Sequence, residues 1–324
     1  MRVFLTGGHG FIGSRVSQIL VKRGDEIRCL VRPGSNTSRI DDLRWDRVEG
    51  DILDTGSLVL AMAGCEACIH LASVVSWDQI RSTNLERTVV EGTRNVIESA
   101  LRSGIRRFVY ISSSSAVSGA SAPRVFSEES PFDLHKSPLR YAIAKHKAEQ
   151  SVFGLAGNQL ESVIVNPVET YGPLDTALIT AGNLIDMLKS WPAVGCHGGT
   201  GIAHVDDVAD GIVRALDKGR HGHRYILGGD NLTIEELIRT TLDIAGQKKP
   251  VLILPNTLVK GIVRMLAALR LPSPLQPDVL DYATLYWFMD STKAKRELGY
   301  TPRPARRVLE PTIDWLYQSG HVKR

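Results

Sequence analysis

The sequence predicts an α/β fold: a doubly wound parallel sheet with helices on both faces, joined to a smaller C-terminal substrate-binding region. Three observations carry this. Short β-favouring runs alternate with helical periods through the first half of the chain. The first run opens into a glycine turn that leads straight into a helix. After Pro167 the alternation loosens.

Taken in order, "MRVFLT" reads as a strand and Phe11–Arg23 as a helix, with Gly24 as its C-cap. "EIRCLVR" is a strand, "RVEGD" a short one, and residues 55–63 a short helix. "ACIHLA" is a strand, followed by a long helix over 79–101 with Leu85, Val89, Val96, Ile97 and Leu101 apolar. "RRFVYIS" is a strand, residues 138–153 a helix capped by Ser137 with Pro138 in its first turn, and "ESVIVN" a strand. Strands this apolar and β-branched belong to a sheet buried on both faces. Residues 1–166 are thus expected to form a dinucleotide-binding domain, to which 204–228 ("HVDDVADGIVRAL", a helix, and "HRYILGG", a strand) returns. Residues 167–324 form mainly the cap, loop-rich over 172–203, with a capping box at Thr233 and Glu236 opening a further helix.

Composition narrows the function. A net charge of +4, from 39 basic and 35 acidic residues without a dense basic block, argues against nucleic acid. No apolar run is long enough to span a bilayer, and "NTLVKGIVRMLAALRL" is broken by Lys260, Arg264 and Arg270 into an amphipathic surface helix. The first strand begins at once, leaving no room for a signal peptide, so a cytoplasmic enzyme with reduced thiols is expected. Cys65 and Cys68 form a C-x-x-C, but no second pair completes a metal site and the motif runs into a strand. No metal is expected.

Ligands on such a sheet bind beyond the carboxyl ends of its strands. Gly7, Gly10 and Gly13, each three apart in "TGGHGFIG", allow a tight turn and the close approach of a pyrophosphate to a helix N-terminus. The second strand ends at Val31-Arg32, where NAD-binding folds commonly carry an acid for the ribose hydroxyls. A guanidinium there clamps a 2′-phosphate, with Arg39 as an assistant, so NADP(H) is expected over NAD(H); the alternative is a solvated surface arginine. Asp51 either accepts from an adenine amino group or caps a turn. The fifth strand runs into Ser112-Ser113-Ser114-Ser115, and Tyr141 and Lys145 lie four apart on one helix face. Hydride transfer to a carbonyl needs a proton on the developing oxyanion. A phenol with an ordinary pKa of about 10 serves if a nearby ammonium favours the phenolate, while a serine holds the substrate oxygen.

On "TGGHGFIG", "GDILD", "CIHLAS", "NLERTVVEGTRNVIESA", "RRFVYISSSS", "YAIAK", "VIVNPVETYGP", "HVDDVADG", "RYILGG" and "DSTKAKRELGY", the chain resembles the extended short-chain dehydrogenases/reductases of the epimerase/dehydratase superfamily, nearly end to end. "LVRPGSN" and "IVNPVETYGP" are most similar to the dihydroflavonol-reductase-like branch. The resemblance implies a Rossmann-type fold, an NAD(P)-dependent oxidoreductase, and a catalytic group of Ser113, Tyr141 and Lys145, with Ser114 as the alternative serine. Cofactor contacts are implied for Gly7, Gly10, Phe11, Ile12, Gly13, Arg32, Asp51, Ile52, Leu71, Ala72, Ser73, Tyr141, Lys145 and Pro167. A homodimer through the helices at 79–101 and 138–153 follows by the same analogy.

Two departures separate the chain from nucleotide-sugar epimerases. Thr200 of "GGTGIAHV" falls where they usually carry a diphosphate-gripping arginine, and "LPSPLQPDVLDYATLYWFMDSTKA" lacks a second. A buried diphosphate without cations is poorly held. The sequence therefore reads as a reductase of a ketone or aldehyde, or a dehydrogenase of the matching alcohol; a sugar or nucleotide-sugar epimerase/dehydratase is the alternative. Val75, Trp77, Ser114, Glu169, Tyr171 and Trp191 are the candidate substrate contacts, with Val74, Thr170, Cys196 and His197 nearby; each also has an ordinary structural reading.

Overall fold

The computed structural model describes residues 1–74, 76–157, 159–269 and 277–323. β1 (Arg2–Thr6) feeds the glycine turn and α1 (Phe11–Lys22), then come β2 (Glu26–Val31), β3 (Asp46–Glu49), α2 (Thr55–Met62) and β4 (Ala67–His70). α3 (Trp77–Arg81) and α4 (Gly92–Arg102) follow, α4 entered through a π-helical turn at Arg87–Glu91. β5 (Arg107–Ile111), β6 (Val125–Phe126), α5 (Arg140–Ala156) and β7 (Glu161–Pro167) complete the first half. Beyond it lie β8 (Glu169–Tyr171), α6 (Ala181–Lys189), β9 (Ala193–Cys196), β10 (Gly199–His204), α7 (Val205–Lys218) and β11 (His223–Leu227). β12 (Asn231–Thr233), α8 (Ile234–Ile244), β13 (Val251–Leu254), α9 (Asn256–Ala268), α10 (Pro277–Ala283), β14 (Tyr286–Met289), α11 (Thr292–Leu298) and α12 (Ala305–Gln318) end the chain.

Among the described residues, seven strands form one parallel sheet in the order β11-β7-β5-β4-β1-β2-β3. The chain winds outward from β1 to β3, then restarts on the other side of β1 with β4. The crevice beyond β1 and β4 is thus the switch point where such sheets bind ligands. α1 and α7 cover one face through Val16, Leu20, Val208 and Ile212. α2, α4 and α5 cover the other through Leu58, Val96, Ile97, Ala144 and Ala148. β11 comes back from beyond the cap strands to lie against β7. A second sheet, β12-β10-β14-β6 with β8 beside β10, carries the C-terminal region.

Several expected boundaries move. The helix expected over 79–101 is broken: α3 stops at Arg81, and Ser82 Oγ accepts from the Asn84 N–H, a local bond that competes with the helix ladder. α5 starts at Arg140 rather than 138, because Ser137 Oγ accepts from Leu139 N–H and donates to the Leu134 carbonyl, leaving Pro138 in the preceding turn. The segment expected to be loop-rich holds α6, β9 and β10. β10 is buried throughout and made a strand by its neighbours β8, β12 and β14, a pairing its glycines conceal in sequence. α9 is amphipathic as expected, with Val259 and Val263 buried and Leu258, Ile262 and Met265 exposed; Arg270 lies outside the described residues.

The glycine turn tolerates no side chain at its third position. A Cβ on Gly13 would lie 2.0 Å from the Gly7 carbonyl oxygen, which is backbone and cannot swing aside. Gly13→Ala is expected to destabilise the fold by about 2 kcal/mol or more. Urea unfolding measures this, and a loss below about 0.5 kcal/mol would mean the turn relaxes freely.

Candidate active site

The crevice beyond β1 and β4 is narrow. Gly7 takes φ +71°, and a Cβ there would meet the Ala72 backbone nitrogen at 2.8 Å. Leu71 N–H donates to the Thr6 carbonyl and Ala72 N–H to Thr6 Oγ1, closing the two strand ends on each other. Gly10 caps α1 without a side-chain bond, and the first turn holds no acid. The leading N–H groups of Phe11, Ile12 and Gly13 are therefore free of side-chain acceptors, which fits a phosphate.

At the end of β2, Arg32 is exposed and no carboxylate replaces it. It shares its surroundings with His9, Arg39 and Arg47: burial lowers the His9 pKa first, and these three guanidiniums lower it further. His9 Nδ1 is buried without a hydrogen-bond partner. Arg39 reaches across to the Leu174 carbonyl at 2.9 Å and Thr176 Oγ1 at 2.6 Å, tying this corner to the cap. An orphaned imidazole nitrogen inside a cationic cluster fits a dinucleotide carrying an anionic group at this end. His9 and Arg47 escaped the sequence reading, although His9 stands inside the glycine motif itself. Asp51 takes the turn-capping role, its carboxylate accepting from Leu53 N–H at 2.9 Å, and Ile52 is buried. Pro167 is buried at the end of β7, opposite Leu227 of β11.

Tyr141 and Lys145 rise from the first turns of α5. Part of the Tyr141 ring faces the cleft, yet desolvation pushes its phenol up to about 12, and the neighbouring Ser73 and Ser113 side chains draw it back. Lys145 is buried, and Nζ donates to the Ile111 carbonyl at 3.0 Å and to Tyr110 Oη at 3.4 Å. Burial pulls its pKa down to about 7, opposed by Glu149. Nζ lies 5.9 Å from the Tyr141 ring centroid, so the lysine is beside the tyrosine but bonded to the sheet.

Ser113, two residues past β5, caps a short 3₁₀ turn, accepting from Ser115 N–H at 3.2 Å and Ser115 Oγ at 3.0 Å. Its side chain also meets the Tyr141 phenol, so Ser115, Ser113 and Tyr141 form one run of hydroxyls. Ser114 is buried inside the turn.

The cap residues behave differently. Tyr171 is fully buried in the cap core and its hydroxyl donates to Glu169 Oε2 at 2.8 Å; burial raises the Glu169 pKa. Trp191, expected to wall a pocket, is 76% exposed among the described residues. Val75 and the side chain of Trp77 lie outside the described residues. Cys196 and Thr200 are buried in the cap, and His197 is exposed. All four cysteines are free and buried, and burial raises the pKa of each thiol.

Under the crevice lies a polar group absent from the sequence reading. Thr93 Oγ1 donates to the Val89 carbonyl at 2.6 Å, so His70 Nε2, 3.0 Å away, must donate to Thr93. His70 Nδ1 then accepts from Thr6 Oγ1 at 2.6 Å. The ring is fully buried, stacks on Tyr110 and is pushed down to about 3 by burial and by Lys145.

This architecture is that of a nucleotide-binding α/β enzyme. Residues 3–228 match the model of the NAD dependent epimerase/dehydratase family, and the chain belongs to that family as an NAD(P)-dependent oxidoreductase of the extended short-chain dehydrogenase/reductase type. It is 31% identical to a putative dihydroflavonol 4-reductase of Synechocystis sp., covering 99% of this chain and 96% of that one. Identity to cinnamoyl-CoA reductase 1 of Oryza sativa is 33%, over 99% and 91% of the two chains. Among solved structures, gox2253 matches with a TM-score of 0.87 at 33% identity, covering 99% of each chain. DesIV, a dTDP-glucose 4,6-dehydratase of Streptomyces venezuelae with NAD bound, matches with a TM-score of 0.79 at 25% identity, over 100% and 99%.

The buried neutral His70 sets a pH dependence. Unfolded histidine titrates near about 6.5, so between that pH and about 3 the unfolded chain binds a proton that the native chain excludes. This contribution to stability is complete above about 6.5 and is lost as pH falls, by up to about 1.4 kcal/mol per pH unit. Urea titrations from neutral pH downward should therefore show a steeper loss for the wild type than for His70→Gln, by up to one proton. Parallel slopes would place a charged or solvated imidazole at this site.

Proposed function

We propose that this protein is an NADP(H)-dependent carbonyl reductase, running as an alcohol dehydrogenase in reverse, on a small or medium substrate with apolar surface. The observation that carries this is the Ser113 side chain beside the Tyr141 phenol, with the buried Lys145 one turn further along the same helix. Ser113 donates to the carbonyl oxygen and orients it. Tyr141 passes its proton to the same oxygen as negative charge develops, and the Lys145 ammonium stabilises the phenolate left behind. A bound nicotinamide supplies the hydride to the carbonyl carbon. Gly7, Gly10 and Gly13 with the α1 N-terminus would hold the pyrophosphate, and Arg32 with His9 the 2′-phosphate. On this reading residues 1–166 with 204–228 bind cofactor, the remainder caps the substrate, and the enzyme works in the cytoplasm, where its four free thiols stay reduced. Pairing through α4 and α5 would make it a homodimer.

The similarity to a dTDP-glucose 4,6-dehydratase favours a second reading, a nucleotide-sugar epimerase or dehydratase. Against it, Thr200 is buried with its hydroxyl donating to the Gly201 carbonyl, a poor substitute for a diphosphate-gripping arginine. Thr200 and the arginine-free run before Asp290 favour the smaller carbonyl.

Arg32→Asp is expected to weaken NADPH binding about ten-fold or more while relatively favouring NADH; equal affinity of the wild type for both cofactors, by fluorescence titration, would sink the NADP(H) preference. Tyr141→Phe should cost about 10² to 10⁴ in kcat with cofactor binding retained, and Ser113→Ala should lose more than Ser114→Ala. Near-normal turnover of Tyr141→Phe would remove it from the mechanism. Substrate class is tested by following NADPH oxidation with cinnamaldehyde, cyclohexanone and a 3-ketosteroid, beside calorimetric titration of UDP- and dTDP-glucose. Tight binding of a nucleotide sugar with no carbonyl reduced would promote the epimerase.

A further inference from the structure

Glu149 stands four residues beyond Lys145 on α5, and both side chains are turned inward, 1% and 2% exposed. A buried carboxylate is costly unless partners hold it. Those around Glu149 come from three strands or strand ends. Asn166 Nδ2, on β7, donates to Oε1 at 2.6 Å. Arg224, on β11, reaches Oε2 at 3.2 Å and is itself fixed by the Glu128 carbonyl at 2.9 Å. Ser112, just past β5, faces the same carboxylate. The Asn166 amide has a second task, donating to the Ser113 carbonyl at 2.8 Å. One carboxylate is thereby joined to the backbone of Ser113 and, across one helical turn, to the charge on Lys145.

We propose that Glu149 is a positioning residue for the reaction: its carboxylate keeps Lys145 in the ammonium form and, through Asn166, fixes the backbone of Ser113. This rests on the Ser113, Tyr141 and Lys145 reading above. The other groups facing Lys145 supply no negative charge to help. Tyr110 and the Ile111 carbonyl give neutral hydrogen bonds, Tyr141 is a neutral phenol before reaction, and His70 is a neutral ring. Burial works against the ammonium and Glu149 opposes it; burial also raises the Glu149 pKa, and Arg224, Ser112 and Asn166 act against that rise to favour the carboxylate. Arg224 faces Glu149 with a positive charge, which the carboxylate balances while it also acts on Lys145. Removing that carboxylate lowers the pH at which Lys145 loses its proton.

The test is the pH profile of NADPH-dependent reduction by the full-length protein, using whichever of cinnamaldehyde, cyclohexanone and the 3-ketosteroid the wild type reduces fastest. Reduction needs Lys145 charged, so its alkaline limb reports that ionisation. Glu149→Gln keeps the shape and an oxygen for Asn166 but removes the charge. Its alkaline limb is expected to move down by about one pH unit, with kcat reduced about ten-fold at pH 8 and KM for the carbonyl nearly unchanged. Glu149→Asp, which keeps the charge, should leave the limb closer to the wild-type position. A merely structural role would scale activity equally at every pH and leave the limb in place, and that outcome overturns the proposal. If Glu149→Gln does not fold, Asn166→Ser decides: it cuts the link to the Ser113 carbonyl and should lower kcat about ten-fold, and wild-type kcat would overturn the proposal. An unmoved limb beside an inactive Tyr141→Phe defeats the Glu149 role alone. A fully active Tyr141→Phe, or no reduction of any of the three carbonyls, defeats the reading beneath it and the proposal with it.

Discussion

The approach of the β1 turn to the end of β4 is the constraint on which the site depends. Gly7 passes so near the Ala72 backbone that a single added carbon would lie at 2.8 Å, and a carbon added to Gly13 would lie closer still, 2.0 Å from the Gly7 carbonyl oxygen. This closeness lets α1 begin directly above the switch point with its N–H groups unspent. It also brings Thr6 to His70 and so connects the cofactor turn to the polar layer beneath the sheet ends. Looser packing at this one place would separate the N-terminus of α1 from the end of β4.

Desolvation then governs the reactive groups. The same burial that orders α5 against the sheet drives the Tyr141 phenol upward and the Lys145 ammonium downward. The two shifts both favour neutral side chains, which is the opposite of what an ammonium–phenolate pair requires. The remedy has to be electrostatic. In the proposed role Glu149, held by Asn166 and Arg224, supplies the opposing charge, and the Ser73 and Ser113 side chains lower the pKa of the phenol. The Thr6, His70 and Thr93 side chains and the Glu149, Asn166 and Arg224 side chains are joined by hydrogen bonds, which offset the cost of burying them.

Sequence pattern alone determined the alternating α/β half, the glycine turn, the placement of Arg32 and the four-residue spacing of Tyr141 and Lys145. These are local signals: a glycine needed for a turn, a β-branched run buried on both faces, two side chains one helical turn apart. Tertiary structure decided the rest. β10 became a strand because β8, β12 and β14 pair with it, while Ser82 broke one expected helix and Ser137 delayed the start of another by bonds to nearby backbone. The surroundings of His9, His70, Glu149 and Arg224 were set only by the tertiary fold, since a neighbour 75 residues away, as Arg224 is from Glu149, leaves no trace in a local pattern. Trp191 shows the converse: an aromatic beside a proline looks like a pocket wall in sequence, but among the described residues it is 76% exposed. Spacing along the chain specifies which side chains share a face; only the packed sheet specifies which charges are stripped of water, and that is what sets the chemistry.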